Sequence, residues 1–334
     1  MSKAPLLGVV VPAYRSPQVL ERCISALRAS EMPLEEWELI VVDDGSGDAE
    51  TTRVAQLADI HITLDPPPGG PARARNAGAR ASRAAIVAFV DADVLVHPDA
   101  LRRILLAFDD PEVAAVFGSY DANPEARGIV SQYRNLLHHQ VHQKSAGEVE
   151  SFWAGCGAVR MTIFESSGMF DEVRYRRPEM EDVELGYRLR GASHRIVLDP
   201  LILCTHLKRW TLGGMLKSDF TRRGVPWAQL LVDRGMFLSP RGLSLGATER
   251  FSALAAIAAL LAAVVAVVCG SGAAGIASLG FFAVFVAVNA SLFAWLQRQR
   301  GFLVAALCVP LHLAYSVNAI AAFLAGTLVA LVRK

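Results

Sequence analysis

From Phe251 to Lys334 the chain has no aspartate and no glutamate, and its only lysines and arginines there are Arg298, Arg300, Arg333 and Lys334. A water-exposed domain needs far more charge than that, so an ordinary soluble C-terminal domain is excluded. Net charge is lacking too. At +1 over 334 residues, bulk charge points to no polyanionic partner, and no nucleic-acid role is expected. Cysteine is sparse: Cys23, Cys156, Cys204, Cys269 and Cys308 form no CxxC and no metal-ligand spacing, as suits a reducing compartment. No signal-peptide cleavage pattern follows Met1–Pro5, and the bulk of the protein is expected in the cytoplasm.

What is present divides into three. Residues 1–206 carry 21 basic and 29 acidic side chains, and residues 207–250 carry 8 basic and 3 acidic. The rest is almost uncharged. The expected domains are therefore a globular part at 1–206, a basic amphipathic juxtamembrane segment at 207–250, and a transmembrane region at 251–334 with two to three spans.

The first part reads as α/β. "LLGVVVP", "ELIVVDD", "IHITL" and "AAIVAFVDAD" are short apolar runs of the kind that form buried parallel strands. Ser16-Pro17 looks like a helix start, with Val19, Leu20, Cys23, Ile24 and Leu27 at helical spacing. Further helices are predicted at about 47–57 and 71–83. Strands alternating with helices imply a mostly parallel sheet, whose ligands bind beyond the carboxyl ends of the strands. Asp43, Asp44, Asp91 and Asp93 all lie at such ends.

"GGPARARNAG" (69–78) is a glycine loop opening a helix. Its backbone N–H groups, with Arg73 and Arg75, can hold phosphate oxygens; the alternative is a surface helix with scattered arginines. "GIVSQYRNLLHHQVHQ" is predicted as a helix. Its His138, His139 and His142 invite a zinc reading, but no HExxH and no cysteine pair accompanies them, so acceptor contacts or plain surface remain open. "PEMEDVELGYRLRG" starts acidic and becomes helical. "RIVLDP" is a further strand, followed by "LILCTH".

Taken in order, "VVVPAYR", "IVVDDGSGD", "GGPARARNAG", "VAFVDADV", "FWAGCGAVR", "EMEDVELGYRLR" and "THLKRW" resemble a family 2 glycosyltransferase of the GT-A fold, over roughly residues 6–210. The resemblance implies a Rossmann-like sheet flanked by helices, a nucleotide-sugar donor and an Mg²⁺ or Mn²⁺ cofactor. Asp91-Ala92-Asp93 matches the family's D-x-D. In an extended segment both carboxylates point one way, and a cation bridging to the diphosphate relieves their repulsion. On this reading Asp93 is a metal ligand, Asp91 binds metal or ribose, and His206 completes the metal or diphosphate site. Asp43 corresponds to the acid that reads the base, beside Pro12 and Ala13. Asp44 joins the nucleotide site or caps the next turn with Ser46. Arg75 matches the arginine that contacts the nucleotide. Glu181-Asp182 matches the E-D pair, with Asp182 as general base or, alternatively, as a helix-capping acid. A base opposite the leaving group implies inversion.

In the tail, 251–269 and 273–296 are each long enough to cross a ~30 Å hydrocarbon core. Residues 302–332 are too long for one straight span, and a span joined to a kinked or interfacial piece is expected around Pro310, His312, Ser316 and Asn318. "LQRQRG" is expected inside and "GSGAAG" outside. The aromatic and basic residues of 207–250 suit interfacial helices on an anionic leaflet. Where processive synthases carry Q-x-x-R-W, this chain has "RRGVPW", which argues against long-chain polymerisation. The expected acceptor is a lipid or lipid-linked hydroxyl at the inner face of the cytoplasmic membrane. A polyprenyl-phosphate sugar synthase and a non-catalytic membrane partner subunit are the alternatives.

Overall fold

The computed structural model describes residues 4–236 and 247–333. The section 237–246 of the juxtamembrane segment lies outside the described residues. The chain forms two compact units, and they do not follow chain order. One holds 1–126 and 141–208; the other holds 127–140 and 209–334.

In the first unit the strands are β1 (Leu7–Ala13), β2 (Trp37–Asp43), β3 (Ile60–Thr63), β4 (Ile86–Val90), β5 (Val94–Val96), β6 (Val113–Tyr120), β7 (Gly147–Glu148), β8 (Cys156–Arg160) and β9 (Arg195–His206). The helices are α1 (Pro17–Arg28), α2 (Ala49–Ala55), α3 (Pro71–Ala81), α4 (Ala100–Ala107), the last part of α5 (Ile129–Lys144), α6 (Met161–Ser166) and α7 (Glu181–Gly191). One sheet runs in the order β3-β2-β1-β4-β8-β6-β9-β5, with β7 beside β9. The first four strands are mutually parallel, and β1, β2 and β4 are apolar runs buried on both faces, with the half-exposed β3 at the edge. β8 is antiparallel to both β4 and β6, and β9 returns parallel to β6. Thus β1, β2, β4 and β6 all end at one rim.

Close packing sets that rim. Pro17 starts α1, which buries Leu20, Cys23, Ile24 and Leu27. In α3, a Cβ at Gly78 would sit 2.4 Å from Val10 Cγ1, so only glycine lets this helix lie on β1. "RIVLDP" and "LILCTH" are one strand, β9, whose register against β6 shifts between Phe117 and Ser119. At that shift a Cβ on Gly118 would meet the Ile202 carbonyl at 2.1 Å. The fourth strand ends at Val90, and Asp91–Asp93 is not its extension. It is a turn, closed by Val94 N–H donating to the Asp91 carbonyl (3.0 Å). The expectation that both carboxylates share one side of an extended segment is therefore corrected.

The second unit contains the first part of α5, then α8 (Leu212–Ser218), a π-helical turn at Asp219–Gly224, α9 (Val225–Asp233), α10 (Ala247–Cys269), α11 (Gly272–Val288), α12 (Ala290–Arg300) and α13 (Phe302–Val332). Thr248–Cys269 and Phe302–Val332 are each long and apolar enough to cross a membrane. α11 and α12 make a third candidate only as a pair bent by 64°. Val267 (84% exposed) and Ile276 (74%) face outward, as lipid-facing residues do and water-facing ones rarely do. Contrary to expectation, Pro310 does not interrupt α13; the break falls at Asn289, between α11 and α12. The polar side chains of α13 are satisfied sideways instead. His312 hydrogen-bonds Asn289 (2.9 Å) and Tyr133 (2.8 Å), Ser316 donates to the His312 carbonyl (2.8 Å), and Asn318 donates to the Leu216 carbonyl (3.1 Å). Asn289 donates on to Ser252 (2.7 Å). A buried ion pair, Arg134–Asp219 at 2.9 Å, lies in the same unit.

Candidate active site

The end of β1 and the end of β2 are held together by Asp44 N–H donating to the Ala13 carbonyl (2.9 Å), which places Pro12, Ala13, Asp43 and Asp44 side by side. It is Asp43, not Asp44, that caps the turn: Asp43 Oδ1 accepts from Ser46 N–H at 2.9 Å. Asp43 Oδ2 is buried and has no protein partner among the described residues, an acceptor left for a ligand N–H. Asp44 spends both oxygens on the glycine loop, accepting from Gly69 N–H (3.1 Å) and Gly70 N–H (2.6 Å). Burial raises its carboxyl above the usual range against these bonds and Arg73. Asp44 thereby braces the loop that opens α3. Gly70, at φ 90°, also lies where a Cβ would press on the Arg176 backbone at 2.7 Å.

The D-x-D turn sits next along the rim. Asp93 is partly exposed, and its Oδ2 lies 3.5 Å from His206 Nε2 at the end of β9. Burial works to raise its carboxyl, but His206 and Lys208 outweigh it, and Asp93 titrates below the usual carboxylate range. His206 is buried and stacked on Tyr120, the last residue of β6, with ring centroids 4.4 Å apart. Asp91 faces the other way: its Oδ1 accepts from Arg75 Nη2 at 2.6 Å. The expected set Asp91, Asp93 and His206 is thus not a closed three-ligand site. Among the described residues, no group of three His, Cys, Asp or Glu side chains is arranged to hold a metal. The donors nevertheless fit one brought in with a diphosphate. Mg²⁺ or Mn²⁺ needs only one or two carboxylates when phosphate oxygens and water supply the rest, and Asp93 is ionised and accessible. The α5 histidines have other partners: His142 bonds the Gly118 carbonyl (3.0 Å) in the first unit, while His139 stacks on Trp295 in the second.

Glu181 and Asp182 begin α7, where carboxylates meet the positive end of the helix. Asp182 Oδ1 accepts from Val183 N–H (2.8 Å), and Oδ2 accepts from Ala154 N–H (3.1 Å). Burial, and then the neighbouring Glu181 charge, push the Asp182 carboxyl up to about 7, against Arg75. α7 approaches Ala154 closely because residue 186 is glycine; a Cβ there would lie 2.4 Å from Phe152 N. Glu181 is buried, and Arg75 Nη1 donates to its Oε1 at 2.9 Å. Arg75 is therefore not a freely presented nucleotide contact; it lies between Asp91 and Glu181.

Sequence reasoning missed three contributors. Tyr120 is one; its place at the end of an apolar strand was the available signal. Ala154–Gly155 acts through main-chain atoms, which no side-chain motif announces. Arg15 donates from its backbone N–H to Ser46 Oγ (2.9 Å) and from Nε to the Ser46 carbonyl (3.1 Å), bracing the Asp43 turn.

The strand-end acids, the turn and the E-D helix thus occur in one domain and one order. The sequence description of glycosyl transferase family 2 matches residues 8–168. Those residues are a family 2 glycosyl transferase domain. The "Pre-mycofactocin glycosyltransferase" of Mycobacterium tuberculosis is 29% identical over 257 residues, 71% of this chain and 52% of that relative. The chain therefore spans about half the length of that curated relative. "Glycosyltransferase AglE" of Haloferax volcanii is 28% identical over 228 residues, 66% of this chain and 72% of its own length. Among solved structures, a mannosyltransferase from Pyrobaculum calidifontis, in complex with GDP-Man and Mn²⁺, superposes with a TM-score of 0.57 at 17% identity. That match covers 97% of this chain and 88% of the other. At that identity the likeness concerns the fold, including the helices that follow the family 2 domain.

Proposed function

We propose that this family 2 protein transfers a sugar from a nucleoside-diphosphate sugar, with inversion, to a hydroxyl of a lipid or lipid-linked acceptor at the cytoplasmic face of a membrane. The observation that carries the reading is the pairing of two unlike carboxylate sites. Asp93 is ionised at the D-x-D turn, while Asp182 is held near neutrality at the start of α7, one dipeptide away. Environments that push two acids apart assign their roles. Asp93, with Asp91 Oδ2, would hold Mg²⁺ or Mn²⁺, and His206 would meet the diphosphate or complete the metal shell. When bound, the metal offsets charge on the departing diphosphate. Asp43 Oδ2 receives an N–H of the base. Asp182 takes the acceptor's hydroxyl proton as that oxygen bonds to the anomeric carbon and the bond from that carbon to the diphosphate oxygen breaks. The long apolar helices α10 and α13 support membrane anchoring, and the basic, aromatic run before them supports an orientation with the family 2 domain on the anionic, cytoplasmic side.

A direct test incubates the purified chain with UDP-glucose, UDP-N-acetylglucosamine or GDP-mannose, Mn²⁺ and a membrane lipid extract, and identifies products by mass. One donor is expected to yield a glycosylated lipid. EDTA and Asp93→Asn should each abolish the product while the thermal midpoint of the apo-protein holds. Full activity in EDTA would refute the metal. Transfer only to added polyprenyl phosphate would replace the hydroxyl acceptor with a phosphate.

A further inference from the structure

The D-x-D turn and the E-D helix are far apart in sequence, yet two bridges join them. One is main chain. Asp91 N–H donates to the Gly155 carbonyl (3.1 Å), and the preceding residue's Ala154 N–H donates to Asp182 Oδ2 (3.1 Å). The other is a single guanidinium. Arg75 gives Nη2 to Asp91 Oδ1 (2.6 Å) and Nη1 to Glu181 Oε1 (2.9 Å). It is buried at 4% exposure and lies over the Phe170 ring, 5.6 Å from its centroid. Glu181 in turn accepts at its second oxygen, Oε2, from Glu179 N–H at 2.9 Å. Each oxygen of this buried carboxylate thus has a protein partner that holds it in place. Arg75 ties one oxygen of Asp91 and leaves the other, Oδ2, without a protein partner among the described residues.

We propose that Arg75 is a positioning residue. Its planar fork clamps Asp91 and Glu181 together, and so fixes the base Asp182 relative to the D-x-D turn, with Glu181 as the anchor. This rests on the glycosyl-transfer reading above and differs from a role for Arg75 as a nucleotide ligand. Physical reasons favour the fork over a simple charge. An ammonium is one point and cannot satisfy two carboxylates with the geometry seen here. Removing Arg75 alone would strand a buried Glu181 charge, which threatens folding. Neutralising both partners together removes that threat and leaves the main-chain bridge intact.

The experiment uses the full chain and two variants, Arg75→Lys and the double variant Arg75→Gln with Glu181→Gln. Thermal midpoint, Mn²⁺ affinity by electron paramagnetic resonance with Mn²⁺ alone, and kcat and donor KM are measured on each. Both variants are expected to fold. Mn²⁺ affinity should fall several-fold and kcat about 10²-fold, because small misplacements of reacting groups cost that much, while donor KM changes little. A folded double variant with wild-type kcat and Mn²⁺ affinity would overturn the proposal. So would a raised donor KM at unchanged kcat, which would make Arg75 a donor ligand. If the double variant does not fold, Arg75→Lys decides alone, because it keeps the charge and loses only the fork; unchanged Mn²⁺ affinity there would also overturn the proposal. Wild type that binds Mn²⁺ but transfers nothing sinks the glycosyl-transfer reading, while the Mn²⁺ arm still judges the clamp.

Discussion

Asp182 and Asp93 are the same residue type at one rim, and their surroundings drive them in opposite directions. Asp93 has a histidine and a lysine to hold its charge, whereas Asp182 has burial and an acidic neighbour. A base must be unprotonated to act. With the carboxyl pushed up to about 7, turnover at saturating donor should fall roughly tenfold per pH unit below about 7 and level off above it. Asp182→Asn keeps the size but removes the basicity, and leaves one acceptor oxygen for the two main-chain N–H groups of Val183 and Ala154. It should cut kcat by about 10²–10⁴ with donor affinity nearly unchanged, and it should flatten that acid limb. Near-wild-type turnover in the variant would reject this base. The identities of both acids were legible in the sequence through the D-x-D and E-D patterns. Their opposite ionisation was not, because it depends on what each meets in space.

At the scale of elements, the site depends on how closely α7 lies against the turn that carries Ala154. Gly186 permits this, and a Cβ there would also crowd the Ser151 backbone at 2.7 Å. Gly186→Ala should therefore lower the thermal midpoint by an amount equivalent to about 1–3 kcal/mol, the usual cost of overpacking. It should also depress kcat by lengthening the Ala154–Asp182 hydrogen bond. A variant with unchanged midpoint and kcat would show that α7 has slack. The apolar run "AAIVAFV" announced β4, but the turn after it was misread as extended. Its closure comes from the Val94–Asp91 bond and from β5 pairing with β9, a strand about a hundred residues later. The bracing role of Asp44 was not legible for a related reason: its partners, Gly69 and Gly70, are neighbours only after β2 and α3 have packed.

At the scale of the whole molecule, the apolar tail carries a buried polar chain from Tyr133 through His312 and Asn289 to Ser252. Such groups have no water to fall back on, so each needs its partner. His312→Leu would take away the partner of the Tyr133 hydroxyl and of Asn289 Oδ1. It should destabilise the detergent-solubilised protein by about 1–3 kcal/mol, read as a lower thermal midpoint, while Mn²⁺ binding by the family 2 domain stays intact. An unchanged midpoint would mean that the chain of bonds contributes no stability.

Composition alone determined that the last quarter of the chain is built for lipid, because an acid-free run leaves too little charge to hold it in water. Strand-sized apolar runs ending in aspartates determined an α/β domain with its chemistry at one rim, because the alternation of strand and helix leaves few other topologies. Only the tertiary structure decided that α11 breaks at Asn289 rather than α13 at Pro310. Proline is tolerated inside a membrane helix where neighbouring groups satisfy the backbone it frees, and Asn289 at the break has its side chain paired with Ser252 and His312. Only the tertiary structure decided, too, that Arg75 lies between two carboxylates. Its partners belong to segments the sequence keeps apart, and a short-range motif cannot record which distant charge a buried guanidinium will meet.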